Sequence, residues 1–216
     1  MSESDTPFSK TRVEMLCDGI FCVAMTLLVL ELKVPNLPRR AESAEIWHAL
    51  REHALPFLGF ALTFLLASTF WLLHHQMFQR LRHVNKALVM LTIPFLMFVS
   101  LLPFSTSMLT AFSLRQPVAL AFYLGNQFAL AALLSAQWLV ANRSGLVTSA
   151  DDDTRQQEFG RMIVLQPISY FVSLVFVYIS PRNAMLSVFL TQMLLLIIVR
   201  RGRKARPAAA AAPGPA

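Results

Sequence analysis

Long apolar runs separated by short polar stretches dominate the chain. Each run is close to the roughly 20 apolar residues that a membrane-spanning helix needs. The runs are continuously apolar instead of alternating with polar positions, which argues against transmembrane strands. They lie at about 13–34, 55–79, 87–112, 117–141, 161–180 and 183–199. The pattern predicts an all-α integral membrane protein with six transmembrane helices.

Composition supports the same class of protein. The chain is 56% hydrophobic and 14% charged, whereas soluble domains average about 25% charged residues. One soluble core could not hide this much apolar surface. The formal charge of +7 lies mainly in the ends and loops, where basic residues set topology and meet anionic lipid. We therefore expect the lipid bilayer as a partner, and no nucleic acid.

The basic residues also indicate an orientation. With the N-terminus inside, the inner loops and termini hold thirteen of the nineteen Lys and Arg residues, and the outer loops hold six. This bias predicts that both termini lie in the cytoplasm. The chain divides into a six-span transmembrane domain at 1–200 and a tail at 201–216. The tail is basic and then Ala/Pro-rich, so it cannot build a core and is expected to be disordered.

The first apolar run contains the sequence "DGIFCVAMTLLVLEL", which starts at Asp18. On a helix with about 100° per residue, four of its side chains share one narrow stripe at the spacing i, i+3, i+4, i+7. These four are Val23, Thr26, Leu27 and Leu30. Asp18 lies roughly 140° away from Val23 on the same wheel. Spacing alone leaves two interpretations open, a helix–helix contact and a pore lining.

The second run places a polar face near the same membrane boundary. Trp71, His74 and His75 follow helical spacing in "STFWLLHHQMF". We expect Asp18, Arg12 and one of the histidines to form hydrogen bonds between the two helices, because charges in a low dielectric need partners. A structural cluster with no part in transport is the alternative interpretation.

Enzyme chemistry has no support in the sequence. The chain lacks the GxSxG, HExxH and P-loop motifs, and it has no paired Glu and His residues of a di-iron bundle. The adjacent His74 and His75 point about 100° apart on a helix, which is poor geometry for one metal ion. We predict no enzyme activity, no metal, no cofactor and no small-molecule substrate.

Three segments resemble the TMEM175 family of potassium channels. "RVEMLCDGIFCVAMTLLVLEL" at 12–32 is similar to the family's first helix, which has the pattern R-x-x-x-F-S-D, then an apolar stretch and T-L-L-x-L. "FWLLHHQMF" in the second run and "SLLPFSTSML" in the third are also family-like. A chain with one six-span unit looks like the bacterial members, which assemble as tetramers. Here Leu16-Cys17-Asp18 replaces Phe-Ser-Asp, and Val23 replaces a longer Ile or Leu.

The resemblance implies a homotetrameric channel in the bacterial plasma membrane, with four copies of the first helix lining the pore. Val23 would form the narrowest hydrophobic ring, Leu27 and Leu30 further rings, and Thr26 the selectivity layer. The side chains behind the pore helix would be Arg12, Asp18, Trp71, and His74 or His75. The permeant ion would be K+, conducted passively with a modest preference over Na+.

A proton leak, or a proton-coupled transporter that uses Asp18 and the histidines, is the rival hypothesis. Inverted repeats or helices broken at Gly or Pro would favour a transporter. The sequence indicates neither, because Pro94, Pro103 and Pro167 are not arranged in matched halves. We therefore expect unbroken spans and a channel.

Overall fold

The computed structural model of the protein describes residues 8–38, 40–112, 116–148 and 153–180, and the separate positions 183, 184, 186, 187 and 190. In this part, five helical stretches are long and apolar enough to cross a membrane. They are Lys10–Glu31, Ala54–Gln79, Lys86–Ala111, Pro117–Arg143 and Gln156–Ile179. The first five predicted runs are therefore confirmed as helices. Apart from those separate positions, the sixth run at 183–199 lies outside the described residues, as does the tail at 201–216.

The first span has a tighter turn at its end. Helix α1 covers Lys10–Leu27, and a 3₁₀ turn covers Leu28–Glu31. Leu28 within this turn is fully buried, so the turn packs against the bundle instead of extending α1 straight into the following loop.

A short helix that the apolar pattern did not predict joins the first two spans. Helix α2 covers Ser43–Glu52, and its start is closed by a reciprocal capping box between Glu42 and Glu45. The backbone N–H of Glu42 donates to Glu45 Oε2 at 2.9 Å. Helix α3, Ala54–Gln79, follows after a single residue. A helix of ten residues is too short to span a membrane, and for that reason an apolar-run criterion misses it.

The third span is interrupted, which corrects the expectation of unbroken helices. Helix α4 covers Lys86–Ser100 and helix α5 covers Leu102–Ala111, with Leu101 between them. Pro103 is the second residue of α5. Proline lacks an N–H and its ring crowds the preceding turn, so a new helix start is favoured here. Pro94 lies inside α4 without interrupting it.

The last two described helices pack closely together. Helix α6 covers Pro117–Arg143, and helix α7 covers Asp153–Ile179. Helix α7 begins eight residues before the predicted run at 161. Helix α6 also contacts α4 and α5, and it buries side chains along most of its length.

Three loops meet at one end of the bundle, which we call the basic end. Lys10 Nζ donates to the carbonyl of Leu81 at 2.8 Å. Beyond Leu81, the N–H of Arg82 donates to the Leu146 carbonyl and the N–H of Thr148 donates to the Arg80 carbonyl, both at 2.8 Å. The start of α1, the α3–α4 loop and the α6–α7 loop therefore lie on the same side of the membrane.

Candidate functional site

Helix α1 has two apolar faces with different environments. One face packs into the bundle through Cys17, Phe21 and Ala24, and Leu28 continues it in the 3₁₀ turn; each is at most 2% exposed. Val23, Leu27 and Leu30 face away from the bundle, with 57%, 42% and 69% of their surface exposed. Thr26 is exposed on the same side. The stripe selected by helical spacing is thus the face of α1 that its own subunit leaves uncovered.

The hydroxyl of Thr26 is oriented by the helix that carries it. Its Oγ1 lies 2.9 Å from the carbonyl of Cys22 and 2.9 Å from that of Val23. A threonine hydroxyl has one proton and two acceptor lone pairs. Because the proton is directed to the backbone, an acceptor lone pair remains for a group on the exposed side. The stripe therefore contains one hydrogen-bond acceptor between its apolar side chains.

Helix α3 holds α1 through a tryptophan. The indole Nε1 of Trp71 donates to Asp18 Oδ1 at 2.8 Å, so the carboxylate has a direct partner on the neighbouring helix. The ring of Trp71 also stacks on His75, with centroids 5.6 Å apart and planes 15° from parallel. These contacts fix the rotation of α1 relative to α3.

The two histidines have separate environments. His74 is 2% exposed, and its ring stacks on Phe78 and Phe95 with centroid distances of 4.4 and 5.2 Å. His75 Nε2 lies 2.9 Å from Gln79 Nε2, and its Nδ1 lies 3.8 Å from a carboxylate oxygen of Glu14. His75 is therefore the histidine that approaches a carboxylate of α1, whereas His74 lies in the aromatic core, where its ring centroid is 6.5 Å from that of Phe21 on α1.

The expected hydrogen bonds from Arg12 and from a histidine to Asp18 are not formed, which corrects the predicted hydrogen-bond partners of Asp18. Asp18 bonds to Trp71, and His75 approaches Glu14 instead. Arg12 is exposed and makes no hydrogen bond or ion pair within the described part of the chain. The reason is angular, because six residues of helix place Arg12 about 120° from Asp18. Glu14 was missed, although it lies one turn before Asp18.

A second group of polar side chains lies inside the bundle. Thr106 Oγ1 of α5 donates to Thr63 Oγ1 of α3 at 2.9 Å, and the Thr63 hydroxyl lies 3.1 Å from that of Tyr123 on α6. Asn126 of α6 donates to Ser105 of α5 at 3.2 Å. Helix α5 is therefore hydrogen-bonded to two neighbours, while it also packs on the 3₁₀ turn after α1. In the sequence, the family-like segment around Ser105 and Thr106 is the only signal that points to this region.

Comparison with known proteins gives one consistent group. The profile of the family described as endosomal/lysosomal potassium channel TMEM175 matches residues 12–103. A Streptomyces collinus protein named as a potassium channel is 35% identical over 138 residues, 62% of this chain. The crystal structure of a lysosomal potassium-selective channel TMEM175 homolog from Chamaesiphon minutus matches with a TM-score of 0.72 and 24% identity, over 88% of this chain and 97% of that one.

A mouse protein named endosomal/lysosomal proton channel TMEM175 is 32% identical over 116 residues, 51% of this chain. The chain spans 65% of the Streptomyces relative and 23% of the mouse relative. Less than two thirds of either relative is therefore matched. The profile match and the Streptomyces alignment concern sequence, and the crystal-structure match concerns the fold.

Proposed function

We infer from these matches that the chain is a member of the TMEM175 family, and on this premise we propose that it forms a potassium-permeable cation channel. Its relatives are named as potassium channels in bacteria and as proton channels in animals. The proposed activity is passive conduction through a central pore, with a modest preference for K+ over Na+.

One observation carries this proposal. The apolar side chains of Val23 and Leu27 on α1 and of Leu30 in the 3₁₀ turn are exposed, whereas the face of α1 that carries Cys17, Phe21 and Ala24 is buried. A second copy of the chain, or lipid, must cover such a surface in a membrane. The hydroxyl of Thr26 within the stripe favours a water-filled or ion-filled boundary, because polar groups at membrane depth usually face protein or water.

The proposed assembly is a homotetramer in which four α1 helices surround the pore. The complete apolar stripe would then face the axis, and the buried Phe21 face would hold each α1 against its own subunit. We place the protein in a bacterial plasma membrane with both termini in the cytoplasm. On this orientation the basic end is cytoplasmic, as the excess of Lys and Arg favours.

The proposed mechanism rests on hydrophobic gating. Rings of Val23, Leu27 and Leu30 exclude water while they are narrow, and they admit a partly hydrated cation when α1 tilts or rotates. Thr26 would offer four hydroxyl oxygens to the ion, since each hydroxyl proton is directed to its own backbone. Selectivity would therefore depend on neck width and on oxygens of side chains, and the sequence has no TVGYG filter of backbone carbonyls.

Purified protein in liposomes tests the pore assignment. Val23→Ala shortens the proposed narrowest ring and is expected to raise K+ flux several-fold. Val175→Ala is the matched control, because Val175 is 48% exposed on α7 and lies outside the proposed pore. Equal flux in wild type, Val23→Ala and Val175→Ala would refute the proposed ring.

Thr26→Val tests the selectivity layer with nearly unchanged side-chain volume. We expect the ratio of K+ to Na+ flux to fall, because the oxygen acceptors are lost. Thr69→Val is the control, since the exposed Thr69 hydroxyl makes the same kind of bond to the Leu65 carbonyl on α3, at 2.9 Å. An unchanged ratio in Thr26→Val would remove Thr26 from the selectivity mechanism.

Proton permeation is the second candidate function. The approach of Glu14 to His75, 3.8 Å between carboxylate and imidazole atoms, favours it because both groups exchange protons in water. Glu14→Gln removes the carboxylate charge at nearly constant volume. A loss of proton flux with retained K+ flux in this variant would favour the proton pathway. An unchanged ratio of the two fluxes would exclude Glu14 from the proton pathway, and the absence of proton flux in the wild type would leave K+ conduction alone.

A further inference from the structure

One peptide group at the basic end connects the start of α1 with the α6–α7 loop. It is the peptide between Leu81 and Arg82, whose carbonyl accepts from Lys10 Nζ at 2.8 Å. The N–H of the same group donates to the Leu146 carbonyl, also at 2.8 Å. A trans peptide is planar and rigid, with its C=O and N–H pointing in opposite directions. The group therefore lies between α1 and the loop, and a shift of one bond moves the group that makes the other.

The α6–α7 loop is itself tied to two helix ends. The N–H of Thr148 donates to the Arg80 carbonyl at 2.8 Å, directly after α3. The N–H of Leu146 donates to the Ala141 carbonyl at 3.0 Å, within α6. Gly145 makes the turn between them with φ +65°, a conformation that favours glycine. The loop thus has a defined shape, and its position is passed to the Leu81–Arg82 peptide.

The position of Lys10 is unfavourable within its own helix. It is the first residue of α1, where the positive end of the helix dipole disfavours a cation. Glu14 lies one turn later, but its carboxylate approaches His75. Leu81, in contrast, follows the end of α3 by two residues, where the negative end of that helix dipole favours a cation. The bond between the two helices is therefore the interaction that favours a lysine here.

Lys10 lies on the side of α1 that packs into its own subunit. It precedes Cys17 by seven residues, which is about two helical turns, and Cys17 is buried. On the α1 wheel it is roughly 140° away from Val23. A tetramer that turns the exposed stripe towards its axis therefore leaves the Lys10–Leu81 bond inside each subunit.

We propose that Lys10 is the positioning residue of α1 at the basic end. Its ammonium holds the start of the helix on the Leu81–Arg82 peptide, so a displacement of the α6–α7 loop reaches α1 through that group. The proposal rests on the proposed function in one respect, because α1 must line the pore for this bond to affect conduction. A held start keeps the hydrophobic rings narrow, and a released start allows the tilt that widens them.

Hydrogen exchange of the α1 backbone tests the bond without any ion gradient. The Val13 N–H donates to the Ser9 carbonyl at 3.2 Å, so exchange of the amides at 13–17 reports how often the first bonded turn opens. Lys10→Met removes the ammonium and keeps most of the aliphatic stem. We expect exchange at 13–17 to become about tenfold faster, as for the loss of a hydrogen bond to a charged group. Lys10→Arg retains a cationic donor and should restore most of the protection.

Lys86→Met is the matched control. Lys86 is the first residue of α4, as Lys10 is of α1. It is exposed and makes no hydrogen bond or ion pair within the part of the chain that the structure describes. Both substitutions remove a cation from a helix start at the same end of the bundle, so both relieve the same unfavourable interaction with a helix dipole. Lys86→Met should leave exchange at 13–17 as it is in the wild type.

A strained turn tests whether the loop acts on α1 through Lys10. Gly145→Ala places a side chain at φ +65°, which strains the turn next to the Leu146 carbonyl. Part of this strain should reach α1, so we expect exchange at 13–17 to rise about threefold. In the double variant Lys10→Met/Gly145→Ala, exchange should be no faster than in Lys10→Met, because the connection is already broken.

K+ flux in liposomes, compared at equal amounts of folded protein, tests the effect on conduction. Lys10→Met should raise the flux several-fold, whereas Lys86→Met should leave it unchanged. Faster exchange in Lys10→Met, with the K+ flux of a conducting wild type, would overturn the positioning role in conduction. Absence of K+ flux in every variant and in the wild type, with exchange responding as expected, would refute the proposed channel and support the Lys10–Leu81 bond.

Three exchange results would overturn the proposal. Equal exchange at 13–17 in Lys10→Met and the wild type would mean that the bond does not hold α1. Equal acceleration by Lys10→Met and Lys86→Met would mean that loss of charge alone is responsible. Full additivity of Lys10→Met and Gly145→Ala would mean that the loop acts on α1 by another route.

Discussion

The hydrogen bond between Trp71 and Asp18 permits a quantitative test of how α1 is held. Trp71→Phe removes the indole N–H that donates to Asp18 over 2.8 Å, while it retains an aromatic ring beside His75. Asp18→Ala removes the acceptor. Comparing both single variants with the double variant isolates the energy of this one contact, because effects outside the pair cancel in the cycle.

The magnitude follows from the type of bond. Hydrogen bonds to charged groups contribute about 1.5–3 kcal/mol. Asp18 is exposed in the single subunit, which places the coupling near the lower limit, about 1.5 kcal/mol or roughly tenfold in an equilibrium constant. For a chain of this size, the corresponding drop in melting temperature is about 3–6 °C.

Two quantities are measured for the wild type, the two single variants and the double variant. They are the melting temperature of the purified protein and the K+ flux in liposomes. Since α1 also packs through Phe21 and Cys17, each variant should fold with α1 in place. We expect Trp71→Phe to lower the melting temperature and to change K+ flux, because the rotation of the proposed pore helix is less constrained.

Trp47→Phe is the control for the loss of an indole. Trp47 is 65% exposed on α2 and makes no hydrogen bond with its side chain in the described part of the chain. Trp47→Phe should change the melting temperature less than Trp71→Phe does. If the effects of Trp71→Phe and Asp18→Ala simply add in the double variant, the contact contributes no coupling, and the assignment of Trp71 as the residue that positions α1 is wrong.

Two further substitutions test the packing of the bundle by thermal melting. A Cβ added at Gly160 would lie 2.5 Å from Trp138 Nε1, whereas one added at Gly125 meets nothing within 4 Å. Gly160→Ala should therefore destabilise the protein by about 1–3 kcal/mol, whereas Gly125→Ala should not. Equal melting temperatures of the two variants would contradict the close α6–α7 packing. His74→Phe should leave the melting temperature equal or higher, because His74 stacks in an aromatic core and its Nε2 is buried without a hydrogen bond. His75→Phe should lower the melting temperature more than His74→Phe does. The opposite order would contradict the assignment of the two rings.

The hydrophobic pattern was sufficient to locate the spans but not their internal breaks. Five predicted runs correspond to helices, since length and continuous apolarity are the properties that a bilayer demands. Pro94, Pro103 and Pro167 lie within predicted runs, yet of these three only Pro103 accompanies an interruption. Pro103 is the second residue of α5, and Thr106 and Ser105 further along α5 hydrogen-bond it to other helices. A linear sequence does not display such contacts.

At the candidate site, helical spacing predicted which residues share the exposed face of α1, because a regular helix fixes their directions. It did not predict which side chains meet on the buried side. The partner of Asp18 proved to be Trp71, and Glu14 was not considered as a neighbour of His75. Both pairings depend on the rotation and depth of α3 against α1, which the packing of the whole bundle determines.

The two cysteines of α1 have unequal access. Cys17 is buried in the bundle and Cys22 is exposed, one turn before Thr26. A thiol reacts as its thiolate, which requires contact with water. The rate at which a water-soluble maleimide modifies Cys22 therefore reports whether water reaches the middle of the helix. Cys17 is shielded and should not react, so it does not contribute to the measured rate. Hydration at this depth of the membrane can therefore be measured on the wild-type protein, without replacing any residue.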